Sequence, residues 1–338
     1  MLFDTEKHTD SWNLISGNEN ANLSHRLEWK TAFKNAYGHT PLYLFEEARG
    51  IILPSFIIKR PLFGSVLTTM PFLDSGGPVG TSEDPEESLI WEMFDLAHKK
   101  NIQKVEIRTS HELSFLPSPF LDKVAMLLQL PQDEEVFWRN LDAKVRNQIR
   151  KARKNNLSVR FGGLELLTDF YKIFCVNMRD LGSPVHSRKF FMEILTAFSV
   201  DSFIAIVESE GRAIGGLIGI VNGDMLTVPW ASSLRKFFKM CPNMLMYWET
   251  LARASRQGIR CFDFGRSTRD VGTYRFKKQW GAVEKQLYWY HINLRNGIPP
   301  KSDSGRRGAA SKVVEIWKKM PLGVANRIGP IIRKYISA

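Results

Sequence analysis

Cysteine is scarce in this chain of 338 residues: Cys175, Cys241 and Cys261 are its only three. They are odd in number, isolated, and without Cys-x-x-Cys spacing, which excludes a disulfide framework and a zinc site; a reducing cytoplasm suits them. Long apolar runs are missing too, for no window holds the roughly 18 uncharged apolar residues of a spanning helix. The start, Met1 to Asp10, is acidic and contains a histidine where a secretory signal would be apolar, so none is expected. No metal site and no tightly bound cofactor is expected either. Lastly, the basic runs lack the interleaved aromatic residues on which single-stranded nucleic acids stack.

What is present fits an ordered, mixed-charge globular chain, 43% apolar, whose length exceeds what one hydrophobic core usually serves. The net charge of +12 is unevenly spread. From Lys301 onward nine Lys or Arg face only Asp303 and Glu315, a local excess of seven. A second basic run comprises Arg139, Lys144, Arg146, Arg150, Lys151, Arg153, Lys154 and Arg160.

Residues 24–130 alternate helix and strand signals. A helix is expected over Leu27 to Ala36, a hairpin of Pro41 to Glu46 with Ile51 to Lys59, a strand from Ser65 to Met70, a helix over about Pro85 to Asn101 and a strand from Lys104 to Arg108. Residues 157–295 repeat that order. Strand Leu157 to Phe161 precedes helices Leu164 to Met178 and Ser187 to Phe198, then strands Phe203 to Glu208, Arg212 to Val221 and Asp224 to Ala231, turned at Glu210-Gly211 and Asn222-Gly223. Helix Asn243 to Gln257, strand Cys261 to Phe264 and strand Lys285 to Leu294 complete that half. Between the halves, Val136 to Asn155 reads as one bridging helix, its cations opposite Leu141, Val145, Ile149 and Ala152.

The densest segment for chemistry is the connection from Cys261 to Ala282, with a short apolar strand, a glycine turn, several cations and several aromatic residues. Phe262-Asp263-Phe264-Gly265-Arg266-Ser267, followed by Tyr274-x-Phe276-Lys277-x-x-Trp280-Gly281, resembles the closing motif of the FemAB-like aminoacyl and acyl transferases. Asn177 to Ser187 and Lys144-x-Arg146-Asn147-x-x-Arg150-Lys151-Ala152 resemble the branch beside exopolysaccharide and PEP-CTERM sorting genes, as do Tyr37-Gly38-His39, Leu62-Phe63-Gly64, Met70-Pro71-Phe72 and Gly76-Gly77. The resemblance implies an α/β (α+β) chain of two tandem GNAT-like (acyl-CoA N-acyltransferase fold) domains with mixed, mostly antiparallel sheets. Their expected bounds are 1–135 and 157–300, with the bridge at 136–156 and a basic amphipathic tail at 301–338.

Acyl transfer to an amine or hydroxyl passes through a tetrahedral oxyanion and so requires a fixed donor. The resemblance puts Phe276 and Lys277 at that step, the Lys277 ammonium lining a crevice between the two lobes. His186 is a candidate general base or a scaffold residue. Arg179 suits a carboxylate or phosphate, or the dipole of its own helix. Trp230, Ser232, Arg266, Ser267 and Tyr274 are further acceptor contacts, with His39 and Asp74 from the first half.

Coenzyme A pyrophosphate is normally cradled by a glycine-rich turn opening a helix. Here Ser233 to Asn243 has no glycine. Arg235, Lys236, Lys239 and Asn243 are the candidate donor contacts there, with Arg146 and Arg150 if the donor is aminoacyl-tRNA instead of acyl-CoA. In the tail, Val313, Ile316, Trp317 and Met320, then Val324, Ile328, Ile331, Ile332 and Tyr335, alternate with cations. Such a segment lies on an anionic membrane surface or docks on the protein's own body. The expected acceptor is a lipid-linked saccharide or peptidoglycan-type precursor, reached from the cytoplasm at the inner membrane face. The competing class is a non-catalytic adaptor of exopolysaccharide machinery.

Overall fold

The computed structural model describes residues 2–61, 63–80, 87–295 and 306–337. The chain divides into two compact units that are discontinuous in sequence: Met1–Val124, Lys285–Gly305 and Lys334–Ala338, then Ala125–Glu284 and Arg306–Arg333.

The first unit begins with α1 (Thr5–Ser16) and α2 (Glu28–Tyr37), then β1 (Thr40–Pro41), β2 (Leu44–Glu46), β3 (Ile51–Leu53), β4 (Ser55–Arg60), β5 (Gly64–Thr69) and β6 (Val79–Gly80). Helix α3 (Glu87–Lys99) and strand β7 (Lys104–Thr109) follow. The start of the expected Pro85 helix, Leu62 of its motif and Lys301 of the tail lie outside the described residues. The expected hairpin is real in register, with Leu44 opposite Leu53. It is interrupted at Leu42–Tyr43 on one side and at Pro54, which has no N–H to donate, on the other. Its parts therefore serve two sheets: β2-β3-β6, and β1-β4-β5-β7-β15. Leu89, Ile90, Met93, Phe94 and Ala97 of α3 are buried, the stripe that the sequence marks, and join a core with Leu53, Leu67 and Ile107.

The second unit contains β8 (Lys123–Gln129), α4 (Glu134–Asn140), α5 (Ala143–Lys154), β9 (Leu157–Gly162), α6 (Leu167–Leu181) and α7 (Arg188–Ala197). These are followed by β10 (Ser202–Ser209), β11 (Arg212–Asn222), β12 (Met225–Ser233), α8 (Pro242–Arg256), β13 (Cys261–Thr268), α9 (Gly272–Lys278) and β14 (Val283–Gln286). Its sheet has the order β14-β8-β13-β12-β11-β10-β9. Ser209 pairs with Arg212, and the intervening Glu210 and Gly211 both have positive φ, as a two-residue hairpin turn requires.

Two expectations change, and the tail takes one of the two courses open to it. The single bridging helix is two helices, because Asp133 caps α4 and Asp142 caps α5. Val145, Ile149 and Ala152 are buried as expected, and α5 packs on α8 of the second unit. The expected strand Lys285–Leu294 breaks at Leu287, and its larger part, β15 (Tyr288–Asn293), pairs with β7 in the first unit's sheet. The tail forms α10 (Arg306–Lys319) and α11 (Leu322–Arg333), both packed on α6.

One arrangement recurs in both units. In the first, β5 and β7 run parallel, joined through α3, and pair over only three positions, Val66–Lys104 to Thr68–Glu106. In the second, β12 and β13 run parallel, joined through α8, and pair over Met225–Cys261 to Thr227–Asp263. Beyond Thr227 the strand β12 bulges, with Val228 and Pro229 set against Gly219, and it no longer pairs with β13.

Candidate functional site

Parallel strands that part midway leave backbone groups without ladder partners, and the chemistry-bearing loop of the second unit starts there. Strand β13 runs from the paired Cys261–Asp263 into Phe264–Thr268. Asp263 Oδ1 accepts the Gly265 N–H at 2.7 Å, fixing the backbone just past the parting. The following segment is not a loop throughout: residues 272–278 form α9. That helix turns Lys277 back onto β13, where its Nζ donates to the carbonyls of Gly265 and Arg266, each at 2.8 Å. Lys277 is 8% exposed. The structure thus gives it a fixed, buried charge at the edge of β13.

Phe276 packs against Tyr247 of α8 at 5.2 Å between ring centroids, and Tyr247 also stacks on Phe264. Burial pushes the Tyr247 hydroxyl up out of its ordinary range. This aromatic cluster of α8, β13 and α9 has a partial trace in the sequence, the helical spacing of Tyr247 and Trp248. Two buried polar atoms near it lack any partner, Ser267 Oγ and Trp280 Nε1. Tyr274, by contrast, donates to Glu284, which also pairs with Arg269.

A cleft of about 670 Å³ opens on the other side of α9, between it and the α4–α5 junction. Lys144, Arg275 and Lys278 line it with Phe276, Trp280 and the cap residue Asp142. Lys277 does not line it. Arg146 and Arg150 lie beyond it on α5, where Arg146 donates to the Arg139 carbonyl and Arg150 lies over Trp138.

The other candidates form a second group around α6. Arg179 is claimed by structure: it bonds Asp180 at 2.7 Å and donates to the Met320 carbonyl at 3.3 Å. His186 is 1% exposed, lies flat on Phe190 at 4.0 Å, and its Nε2 accepts from Arg333 Nε at 3.0 Å. Burial, then the Arg333 charge, holds its pKa well below the ordinary histidine value. A neutral, enclosed imidazole bound to a guanidinium is a latch for α11. Trp230 packs on Phe190 and Phe191, and Ser232 accepts from Asn177 Nδ2 at 3.0 Å.

The segment before α8 is a 3₁₀ turn, Arg235–Met240, with Cys241 in the left-handed region and Pro242 opening the helix. Asn243 Oδ1 is taken by the Ser233 hydroxyl. Arg235, Lys236 and Lys239 are exposed. In the first unit His39 is buried with its Nε2 unpartnered, and the Asp74 carbonyl accepts from Trp289. There the parting of β5 and β7 is filled by the chain itself: Thr69 Oγ1 accepts the Arg108 N–H at 2.9 Å, and the Ser337 carbonyl accepts from both Phe72 N and Arg108 Nη1. Among the described residues no His, Cys, Asp or Glu cluster is of a size to hold a metal.

An antiparallel run leading into a parallel pair that parts, with a crossover helix between, defines an acyltransferase-type fold. Residues 139–278 match the family model described as Acetyltransferase (GNAT) domain. Among solved structures the chain is similar to FemX, with a TM-score of 0.67 at 13% identity over 88% of this chain and 98% of that one. It is similar to the C-terminal domain of a putative lysylphosphatidylglycerol synthetase from Agrobacterium fabrum, with a TM-score of 0.59 at 10% identity over 92% and 98%. A tandem GNAT protein from the clavulanic acid biosynthesis pathway gives 0.51 at 8% identity over 85% and 95%. No curated protein sequence matches the chain. The fold is GNAT-like, built of helices around mixed sheets.

Proposed function

We propose that the protein transfers an acyl or aminoacyl group to an amine or hydroxyl of a cell-envelope glycan or peptidoglycan-type precursor. The observation that carries this reading is the parted β12–β13 pair with the buried Lys277 ammonium fixed on the carbonyls of Gly265 and Arg266. A cation already in place stabilises developing negative charge without reorganising as the tetrahedral oxyanion forms. Lys277 is the proposed donor to that oxyanion, and Phe276 borders the reacting group.

The acceptor class draws support from the likeness to FemX and to a synthetase of lysylphosphatidylglycerol. The donor is acyl-CoA or aminoacyl-tRNA. Exposed Arg235, Lys236 and Lys239 are available to its phosphates by side chain, since Pro242 removes one backbone donor from the start of α8. An exopolysaccharide-type glycan reached at the cytoplasmic membrane face is the specific acceptor proposed.

The test offers the purified chain coenzyme A thioesters and charged tRNA with envelope precursors, and reads the products by mass spectrometry. Lys277→Met should lower turnover about a hundredfold, with its thermal midpoint measured alongside. Full turnover in a folded Lys277→Met protein refutes the role of the lysine. No transfer from either donor class favours an adaptor.

A further inference from the structure

We infer that the hairpin of α10 and α11 is a docking surface for an anionic lipid bilayer. The inference stands apart from the transfer reading, because it uses only the hairpin and its seat.

The inner side of the hairpin is fixed. Trp317, Ala325 and Gly329 are buried, and the helices approach the end of α6 and the loop after it too closely for a side chain. A Cβ on Gly182 would lie 2.5 Å from Val314 Cγ1, and one on Gly329 would lie 2.9 Å from the Val185 nitrogen. Arg179 holds the Met320 carbonyl, and Arg333 holds His186. The seat leaves a defined outer surface.

That outer surface is aliphatic. Val313, Ile316, Val324, Ile328, Ile331 and Ile332 are 38–65% exposed. They are six of the nineteen large exposed hydrophobic residues among those described, gathered within twenty positions, so they form a concentration and not scattered surface residues. Val324, Ile328 and Ile331 recur at four and three, one stripe of α11, and Val313 and Ile316 recur at three on α10.

Apart from Glu315, which pairs with Lys318, the charge around the stripe has one sign. After Glu315 the chain has no acidic residue, and Lys318, Lys319, Arg327, Arg333 and Lys334 follow. Lys319 and Arg327 are exposed. Val and Ile side chains offer no hydrogen-bonding group for a specific polar partner. Inserted at the boundary between headgroups and acyl chains they lose water, while neighbouring cations meet lipid phosphates. No helix among the described residues is long and apolar enough to cross a membrane, so the hairpin would lie in the plane of the surface.

The experiment is co-sedimentation of the full chain with phosphatidylcholine vesicles and with vesicles of equal parts phosphatidylcholine and phosphatidylglycerol. The chain should pellet with the second and not the first. Ile316→Glu with Ile331→Glu should weaken partition about tenfold per site, and Lys319→Gln or Arg327→Gln about fivefold. These side chains are exposed, so the thermal midpoint should hold. Failure to pellet with anionic vesicles, equal binding to both compositions, or undiminished binding of the isoleucine variant overturns the inference. So does concentration-dependent self-association that the isoleucine variant abolishes, which would make the occupant a second copy.

Discussion

Mild acid should destabilise the first unit, and two of its buried histidines give the effect a magnitude, with His291, also lowered by burial, adding to it in the same direction. His25 Nδ1 accepts the Asn22 N–H at 3.0 Å, and its Nε2 faces the Gly77 carbonyl at 3.0 Å, so the bonding requires the neutral ring with its proton on Nε2. Burial lowers its pKa from 6.5 to about 4, against the opposing pull of those backbone bonds. His39 is lowered to about 4 by burial and then by the Lys334 charge. Because both folded-state values lie below the unfolded value, the unfolded chain binds more protons between pH 6.5 and 4. Stability is fully present above that window and is lost as pH falls through it. From about pH 7 to about pH 5 each histidine should remove about 2 kcal/mol, the pair about 4, a large part of an ordinary domain's stability. Urea unfolding followed by circular dichroism should show the midpoint falling by about 2 M over that range. His39→Phe should remove its own share of the slope, about 2 kcal/mol over that range. It should not destabilise the protein at neutral pH, because it removes a buried nitrogen without a partner. A pH-independent midpoint, or an unchanged slope in His39→Phe, would refute the reasoning.

Three further outcomes follow from the second unit. Gly329→Ala sets a helix-propensity gain of about 1 kcal/mol against overpacking of about 1–3 kcal/mol on Val185; the net loss should appear as faster protease cleavage between α10 and α11 while the rest of the chain stays folded. Asp142→Ala removes the carboxylate that accepts the Lys144 N–H at 2.7 Å, and should cost about 1 kcal/mol in urea unfolding. Burial pushes the Cys175 and Cys261 thiols up to about 11, so a thiol reagent at mildly alkaline pH should modify Cys241 quickly in the native protein and all three cysteines only after unfolding.

Elements whose own side chains carry the pattern were legible. The stripe Leu89–Ala97 and the turns at Glu210-Gly211 and Asn222-Gly223 needed no distant partner to be read. α9 was missed because Gly272-Thr273-Tyr274 is a poor helix start and the segment bears cations on every side. α1 buries only Trp12, Ile15 and Ser16, too few to make a periodic signal in a polar stretch. Long-range closure left no local trace. Nothing in Tyr288–Asn293 says that it pairs with β7, and nothing in Ser337 announces that Phe72 and Arg108 will bind it. The candidate site is legible to the same extent. The Phe276-Lys277 pair was found from its motif, whereas the partners that fix Lys277, the carbonyls of Gly265 and Arg266, carry no side-chain signature.

The roles of Arg179 and His186 depended on where the tail goes. As isolated residues near a Gly-Ser-Pro turn, a guanidinium and an imidazole suit an anionic substrate and a proton transfer. Once α10 and α11 seat on α6, the Met320 carbonyl and the Arg333 guanidinium occupy those groups, and burial keeps the imidazole neutral. The same logic separates the two parted strand pairs. In the first unit Thr69 and Ser337 supply the partners that Arg108 and Phe72 lack after the parting, so the backbone opened there is closed again by the chain itself. In the second unit the parted strand β13 holds a buried ammonium, with an unpartnered Ser267 hydroxyl on the same strand. That difference supports the proposal that the chemistry of the chain lies in the second unit.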